Sequence, residues 1–339
     1  MSSKKNINGY KLIQEFKTAG AGQSRWSFAK KDGREYFIKE FLAPKYPTDE
    51  APGSKKIKQK KRKKCKEFEE RQRNIQSSIS EKCAPGGNLV YARDFFREGP
   101  QYYKVTDKVN VSSLSIKEIS SLPLNKRVLI LLTVTSSLRI LHNVGVVHGD
   151  LKPDNILVKN TKTGNYAAKL IDFDDSFFDG DPPPVDEVVG DQVYYSPELS
   201  NYVKGKPHRP ISDKSDIFAL GLIFAQYITG NLPAFDGSEY KYSCDAVLDG
   251  HWLTIRDEGI PSKLVELIRS MIKREPSKRP DAQSVFRSLK DYRSVDDPVD
   301  DDSSGTDGRL TGTLIDNKDE RESSESSDNN DSLRGDLID

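Results

Sequence analysis

The run HGDLKPDNILV, His148 to Val158, constrains this chain more than any other segment. Ahead of it, from Asn125 to His142, leucines and isoleucines recur at helical spacing, which predicts a buried helix. Behind it, Asn155–Lys159 and Ala167–Phe173 carry short apolar runs that predict buried strands. A polar loop rich in Asp, Lys and Asn is therefore suspended between apolar elements. A further carboxylate, Asp172, stands near the end of the second predicted strand, in LIDFD.

Taken singly, these Asp and Asn residues could be turn formers. Taken together they match one chemistry. Transfer of a phosphoryl group to a hydroxyl needs a carboxylate near the attacking oxygen, a cation for the transferred group and oxygen ligands for magnesium. Asp150, Lys152 and Asn155 supply these in that order. Asp172 adds a hard oxygen ligand of the kind magnesium takes.

The rest of the chain divides by composition. Tyr10–Phe16, Arg25–Ala29 and Arg34–Phe41 read as strands, and Asp32-Gly33 suits a hairpin turn because it accepts positive φ. After breaks at Pro44, Pro47 and Pro52, nine of the twelve residues in 55–66 are basic. This stretch, 44–66, reads as a basic insertion with a solvated loop as its plainest interpretation. Phe68, Ile75 and Ile79 then predict a helix, and residues 89–109 return to strand character. Beyond Ser212 the pattern is mostly helical, through about Tyr292. From Ser294 to Asp339 there are fifteen acidic residues against four basic ones, a net of −11. The whole chain of 339 residues carries +1, so the remainder carries +12. An acidic, Ser-rich segment with almost no aromatics cannot bury enough apolar surface to offset its ordering entropy, so 293–339 is expected to be disordered. Cys65, Cys83 and Cys244 fit no zinc or disulfide spacing, and the longest apolar run, VLILLTV from Val128, is far too short to span a bilayer. A cytoplasmic protein is expected, with no membrane partner and no nucleic-acid partner.

These motifs resemble the protein-kinase superfamily from about Gly9 to Tyr292, in the eukaryote-like serine/threonine class and with the look of a soluble bacterial member. His148–Asn155 resembles the catalytic loop, Asp172-Phe173-Asp174 the metal-binding loop, and Ser196-Pro197-Glu198 the end of the activation segment. The stretch from Ser212, with Asp216 and Gly221, resembles the central helix of the large lobe. Arg279, in REPSKRP, is then the partner of Glu198 in a buried ion pair. The resemblance implies an α+β bilobal fold: a flexible terminus 1–8, a β-rich lobe over 9–107, a helical lobe over 110–292 and the acidic tail. It implies ATP and Mg2+ as cofactors and serine or threonine side chains of proteins as acceptors. Asp150 is the expected base, assisted by Lys152 and Asn155, with Asn155 and Asp172 on the metal. Gly20 and Gly22 resemble the start of a phosphate-cradling loop, and Lys39 the strand lysine that meets the α- and β-phosphates. A helix carboxylate should pair with Lys39. Glu67 and Glu70 share a face, and Glu70 is the expected partner. Thr106 aligns as gatekeeper, and the backbone of Asp107 to Val109 is expected to meet the adenine.

The chain departs from the family in several places. Arg25 replaces the third glycine of the phosphate loop. Phe37 stands where an alanine usually lies beside the adenine. Asp174 replaces the glycine of the metal-binding loop and reads as a solvated carboxylate, with metal binding as its alternative. Gly149 replaces the arginine that senses a phosphorylated activation segment, which implies activity independent of that phosphate. Asp191 replaces a threonine that bonds the catalytic residues. Two other readings remain open: a pseudokinase scaffold, which the departures favour, and an aminoglycoside-type small-molecule phosphotransferase, which shares His-Gly-Asp-Leu. The tail holds candidate autophosphorylation sites at Ser323, Ser324, Ser326 and Ser327. Thr313, three before Asp316, suits a phosphothreonine-reading partner. The tail could also dock on the basic run 55–66.

Overall fold

The computed structural model describes residues 6–18, 24–82, 87–109, 113–161, 165–237, 239–256 and 258–296. Its first part is a six-stranded antiparallel sheet with one long helix. The elements are β1 (Asn6–Ile7), β2 (Tyr10–Leu12), β3 (Ser24–Lys31), β4 (Arg34–Phe41), α1 (Lys55–Lys82), β5 (Ala92–Glu98) and β6 (Gln101–Asp107), with spatial order β1-β2-β3-β4-β6-β5. Three of these bounds differ from the sequence expectation. Asn6 and Ile7 are not a loose terminus, because Ile7 is buried beside Tyr10, Ile38 and Val105. The strand from Tyr10 stops at Leu12, and its continuation keeps separate contacts to β3, through the Ile13 amide to the Phe28 carbonyl, Ser27 Oγ to the Gln14 carbonyl and a Lys17–Trp26 bridge.

The third difference is the largest. The basic run is not a loop; it is the first half of α1. Lysine, glutamate, glutamine and arginine are strong helix formers, and nothing between Lys55 and Lys82 breaks a helix. Its phase is set by Cys65, Phe68, Gln72, Ile75 and Ile79, spaced 3, 4, 3 and 4 apart, which makes one face. Cys65 and Phe68 pack with Phe41, Phe95 and Tyr102, while Ile75 and Ile79 enter the large core of the second lobe. The same helix therefore belongs to both cores.

The second part is mainly helical: α2 (Ile116–Ser120), α3 (Leu124–Asn143), β7 (Val146–Val147), β8 (Ile156–Asn160), β9 (Tyr166–Leu170), β10 (Phe177–Phe178), α4 (Pro197–Val203), α5 (Lys214–Thr229), α6 (Ser243–Leu248), α7 (Ser262–Met271) and α8 (Ala282–Asp296). The fold is α+β and bilobal. Helix α3 is buried on most sides, and its buried hydroxyls donate to its own backbone. Thr135 and Ser137 donate to carbonyls one turn back, and Thr133 Oγ1 also accepts from the Ala168 amide of β9 at 3.1 Å. That bond ties the hairpin β8–β9 to the helix, so the loops at both ends of the hairpin are held in place. The final helix continues to Asp296, four residues past the expected end at Tyr292. The remainder of the acidic segment lies outside the described residues, as do Gly20, Gly22 and Cys83. No described helix is long and apolar enough to cross a membrane.

Candidate active site

A cleft of about 1000 Å³ opens between the two parts. Its roof is aromatic: Phe37 stacks on Trp26, with ring centroids 5.6 Å apart, and meets Phe28 edge-on at 6.1 Å. Its floor includes Leu157 and Ile171, and Thr106, Asp107 and Val109 line its back. The Asp107 carboxylate is turned outward to Arg93, accepting from Nε at 2.9 Å and Nη2 at 2.5 Å. Arg25 lies on β3 opposite Glu40 and pairs with it at 2.5 Å.

At the open end, the loop after β7 gathers the polar groups. Both oxygens of Asp150 are held. Oδ1 accepts from the Asp191 amide at 3.1 Å; Oδ2 accepts from Lys152 Nζ at 2.5 Å and from Asn155 Nδ2 at 3.1 Å. The expected side-chain contact at position 191 is thus made by backbone. The Asp191 side chain instead accepts from the Val193 amide, capping a short 3-10 turn over Gln192–Tyr194. Asn155 Nδ2 also donates to the Asp150 carbonyl at 2.7 Å, which turns the amide oxygen of Asn155 the other way.

The loop backbone hangs from α5. Asp216, almost fully buried, accepts from the His148 and Gly149 amides at 2.7 and 3.1 Å and meets His142 Nε2 at 2.9 Å. Ser176 Oγ donates to the His148 carbonyl at 3.0 Å. His148 Nε2 lies 3.1 Å from the Ile171 carbonyl, next to Asp172, and its ring tilts against Phe173 at 5.2 Å. The two motifs, some twenty residues apart, are thereby locked together. Asp172 itself has φ +64°, a left-handed backbone that few non-glycine residues adopt and that is held only where the surroundings over-determine it.

Lys39 Nζ reaches across the cleft to both Asp172 oxygens at 2.8 and 2.9 Å and to Asp174 Oδ2 at 2.6 Å. Lys104 Nζ reaches Asp174 Oδ1 at 2.5 Å. Asp174 is therefore not a solvated carboxylate; its side chain is 13 % exposed and carries an ion pair on each oxygen. Burial by itself would lower the Lys39 pKa, but Asp174 and then Asp172 overcome it and hold the ammonium above its ordinary range. Burial likewise works to raise Asp174, and is outweighed by Lys104 and Lys39, so Asp174 lies below the usual carboxylate range. Burial and the Asp174 charge push Asp172 up.

The expected partner of Lys39 is corrected. Glu70 points to solvent and pairs with Lys66 at 3.6 Å, and Glu67 does the same with Lys63 at 3.7 Å. Both lie on the face opposite the apolar stripe, so the packing that seats α1 turns them away. Glu69 accepts from Tyr102 Oη at 2.6 Å. The α1 residue that does face the metal-loop segment is Gln72, whose Nε2 donates to the Asp174 carbonyl at 3.1 Å. Lys104 and Gln72 escaped the reading of the sequence. Lys104 had a signal, because it stands two before Thr106 and must share the cleft face of β6 with it.

The donor set suits a nucleotide with magnesium. Asp172 and the amide oxygen of Asn155 are hard ligands, Lys39 is a buried cation, and the apolar roof and floor are the walls a base requires.

A model of the protein kinase domain matches residues 41–289. It begins just after Lys39, so the placement of that lysine rests on geometry. The chain is 29 % identical over 208 residues to serine/threonine-protein kinase PSK2 of Saccharomyces cerevisiae, covering 59 % of this chain and 17 % of that protein. It is 26 % identical over 285 residues to calcium-dependent protein kinase 19 of Oryza sativa subsp. japonica, covering 82 % and 51 %. It is 29 % identical over 209 residues to serine/threonine-protein kinase PkaA of Streptomyces coelicolor, covering 60 % and 36 %. The chain thus spans about half or less of the length of these curated relatives.

Proposed function

The chain belongs to the protein kinase domain family, and from that premise we propose that it is an ATP-dependent protein serine/threonine kinase. The observation that carries this reading is the meeting of Lys39, Asp150, Lys152, Asn155 and Asp172 at one end of a single apolar-walled cleft. In this reading Asp150 receives the proton of the acceptor hydroxyl. Its two oxygens are already oriented by Asp191, Lys152 and Asn155, so little reorganisation remains at the moment of transfer. Lys152 stands beside the base, where it balances charge on the moving phosphoryl group. Lys39 holds the α- and β-phosphates, and Asp172 with the Asn155 amide oxygen would hold the metal. Magnesium, when bound with ATP, supplies neutralisation of the phosphate charge. The backbone of Asp107 to Val109 meets the adenine.

The kinase names of the relatives support serine and threonine as acceptors, and Lys152 two residues after Asp150 agrees with that class. Tail autophosphorylation at Ser323, Ser324, Ser326 and Ser327, a phosphothreonine-reading partner at Thr313 and a cytoplasmic location belong to the same proposal. So does the division into a kinase domain and an acidic segment beyond it. One observation favours a scaffold instead: a Phe37 ring, stacked on Trp26, stands in the roof where the resemblance places an alanine beside the adenine.

The test is incubation with radiolabelled ATP and magnesium, alone and with a generic basic protein, beside Asp150→Asn and Lys39→Ala. Label transferred by the wild type and lost in both variants is the expected result. Nucleotide binding without transfer would refute the catalytic reading, and absence of both would favour the scaffold.

A further inference from the structure

The lysine pair at the centre of the cleft needs an explanation that no α1 glutamate provides. Lys39 on β4 and Lys104 on β6 are directly opposed in the sheet register. Their side chains share the cleft face, and each is 11 % exposed. Like charges opposed across two strands repel, and burial magnifies the repulsion. The sheet tolerates the pair because one carboxylate lies between them. Asp174 gives Oδ2 to Lys39 at 2.6 Å and Oδ1 to Lys104 at 2.5 Å. Its carbonyl is held by Gln72 at 3.1 Å, so α1 reaches this cluster with an uncharged amide.

We propose that Asp174 and Lys104 are positioning residues, with Asp174 holding the Lys39 ammonium toward the phosphates and Lys104 fixing Asp174 in that orientation. The inference rests on the kinase reading above. Lys39 also touches Asp172, but Asp172 is the proposed metal ligand, so Asp174 is the partner that Lys39 keeps once a metal is held. Asp174 is paired with two lysines, one on each oxygen, whereas Asp172 has Lys39 alone, so Asp174 is the more fully neutralised of the two carboxylates. The aspartate that replaces the family's loop glycine thus takes over a task that the resemblance assigned to α1.

The experiment compares the full-length wild type with Asp174→Asn, Lys104→Met and the double variant, measuring kcat and the KM for ATP with magnesium. Lys39→Ala is the reference for complete loss. Thermal melting checks that each variant folds, and Lys104→Gln carries the comparison if Lys104→Met folds poorly. The expected result is a drop in kcat of about tenfold or more for Asp174→Asn, with KM changed less than about threefold, as for a group that orients rather than binds. Lys104→Met should fall in the same way, and the double variant no further than Asp174→Asn alone, because the two act through one contact. A merely structural pair would lower the melting temperature and leave kcat intact. Wild-type-like kcat in both single variants, or losses that multiply in the double, would overturn the inference and leave the kinase reading standing. A wild type no more active than Lys39→Ala would overturn both.

Discussion

Gly149 has φ +81°, and a Cβ built there would lie 2.4 Å from the carbonyl oxygen of Asp175. The residue that the family places here therefore cannot be accommodated without moving the segment that follows the metal loop. Glycine at position 149 is a backbone requirement. Gly149→Arg is expected to cost at least ~1–2 kcal/mol from the left-handed backbone alone, with the displacement of Asp175 added. Urea denaturation beside the wild type measures this, and an unchanged midpoint would show that the loop has another conformation open to it. The same scale holds the surprise at Asp174. Its acid side chain was legible, its ion pairs were not, since they depend on Lys39 and Lys104, 135 and 70 residues away in the chain.

Among the elements, α5 does the most positioning. Asp216 near its start carries the catalytic-loop backbone, and Gly221 lets it close on the end of α7, where an added Cβ would meet Ile272 at 2.7 Å and Met271 at 2.9 Å. Its first turn also braces the ion pair that the motifs implied. Glu198 of α4 receives Arg279 Nη1 and Nη2 at 2.7 and 2.8 Å, with both side chains essentially inaccessible. The remaining donors of Arg279 go to the carbonyls of Lys214, Lys273 and Arg274. Glu198→Ala would leave a buried guanidinium without its counter-charge, and a loss of ~3–5 kcal/mol is expected. Calorimetric or urea unfolding decides it; a loss below about 1 kcal/mol, the scale of an exposed pair, would mean that water reaches Arg279. This pair was readable because both partners sit in recognisable motifs. The start of α1 was not, because a lysine-rich run is equally compatible with a solvated loop until apolar partners for Cys65 and Phe68 are in place.

For the whole molecule, α1 packs into both cores and also contacts the segment after the metal loop. Lys64 pairs with Glu187 at 2.8 Å and Asp186 at 3.5 Å, and Arg71 pairs with Glu187 at 3.4 Å. Carboxylates here tether the segment to the helix without any phosphate, in keeping with the absence of threonines between Asp172 and Glu198. These pairs are partly exposed, so each is worth little alone and salt weakens them. Glu187→Lys turns the attraction into repulsion. Phosphotransfer by this variant should fall about threefold to tenfold at low ionic strength, and recover toward wild type near 0.5 M salt as screening shortens to a few ångströms. A rate series against salt tests it, and equal rates at every ionic strength would show that the tether does not govern the cleft.

By itself the sequence determined the chemistry on offer. Asp150, Lys152, Asn155 and Asp172 occupy short segments bounded by apolar runs, and such local patterns are legible before the fold is known. The bilobal α+β fold followed from the same motifs through their resemblance to a family. Tertiary structure alone decided which charges meet Lys39. The rotation of α1 about its axis is set by burial of Cys65, Phe68, Ile75 and Ile79, and that rotation sends Glu67 and Glu70 to solvent and Gln72 inward. The register of β4 against β6 sets Lys39 opposite Lys104, and only the folded loop brings Asp174 between them. Packing of apolar side chains chooses helix phase and strand register, and the charged groups take whatever neighbours that choice leaves them.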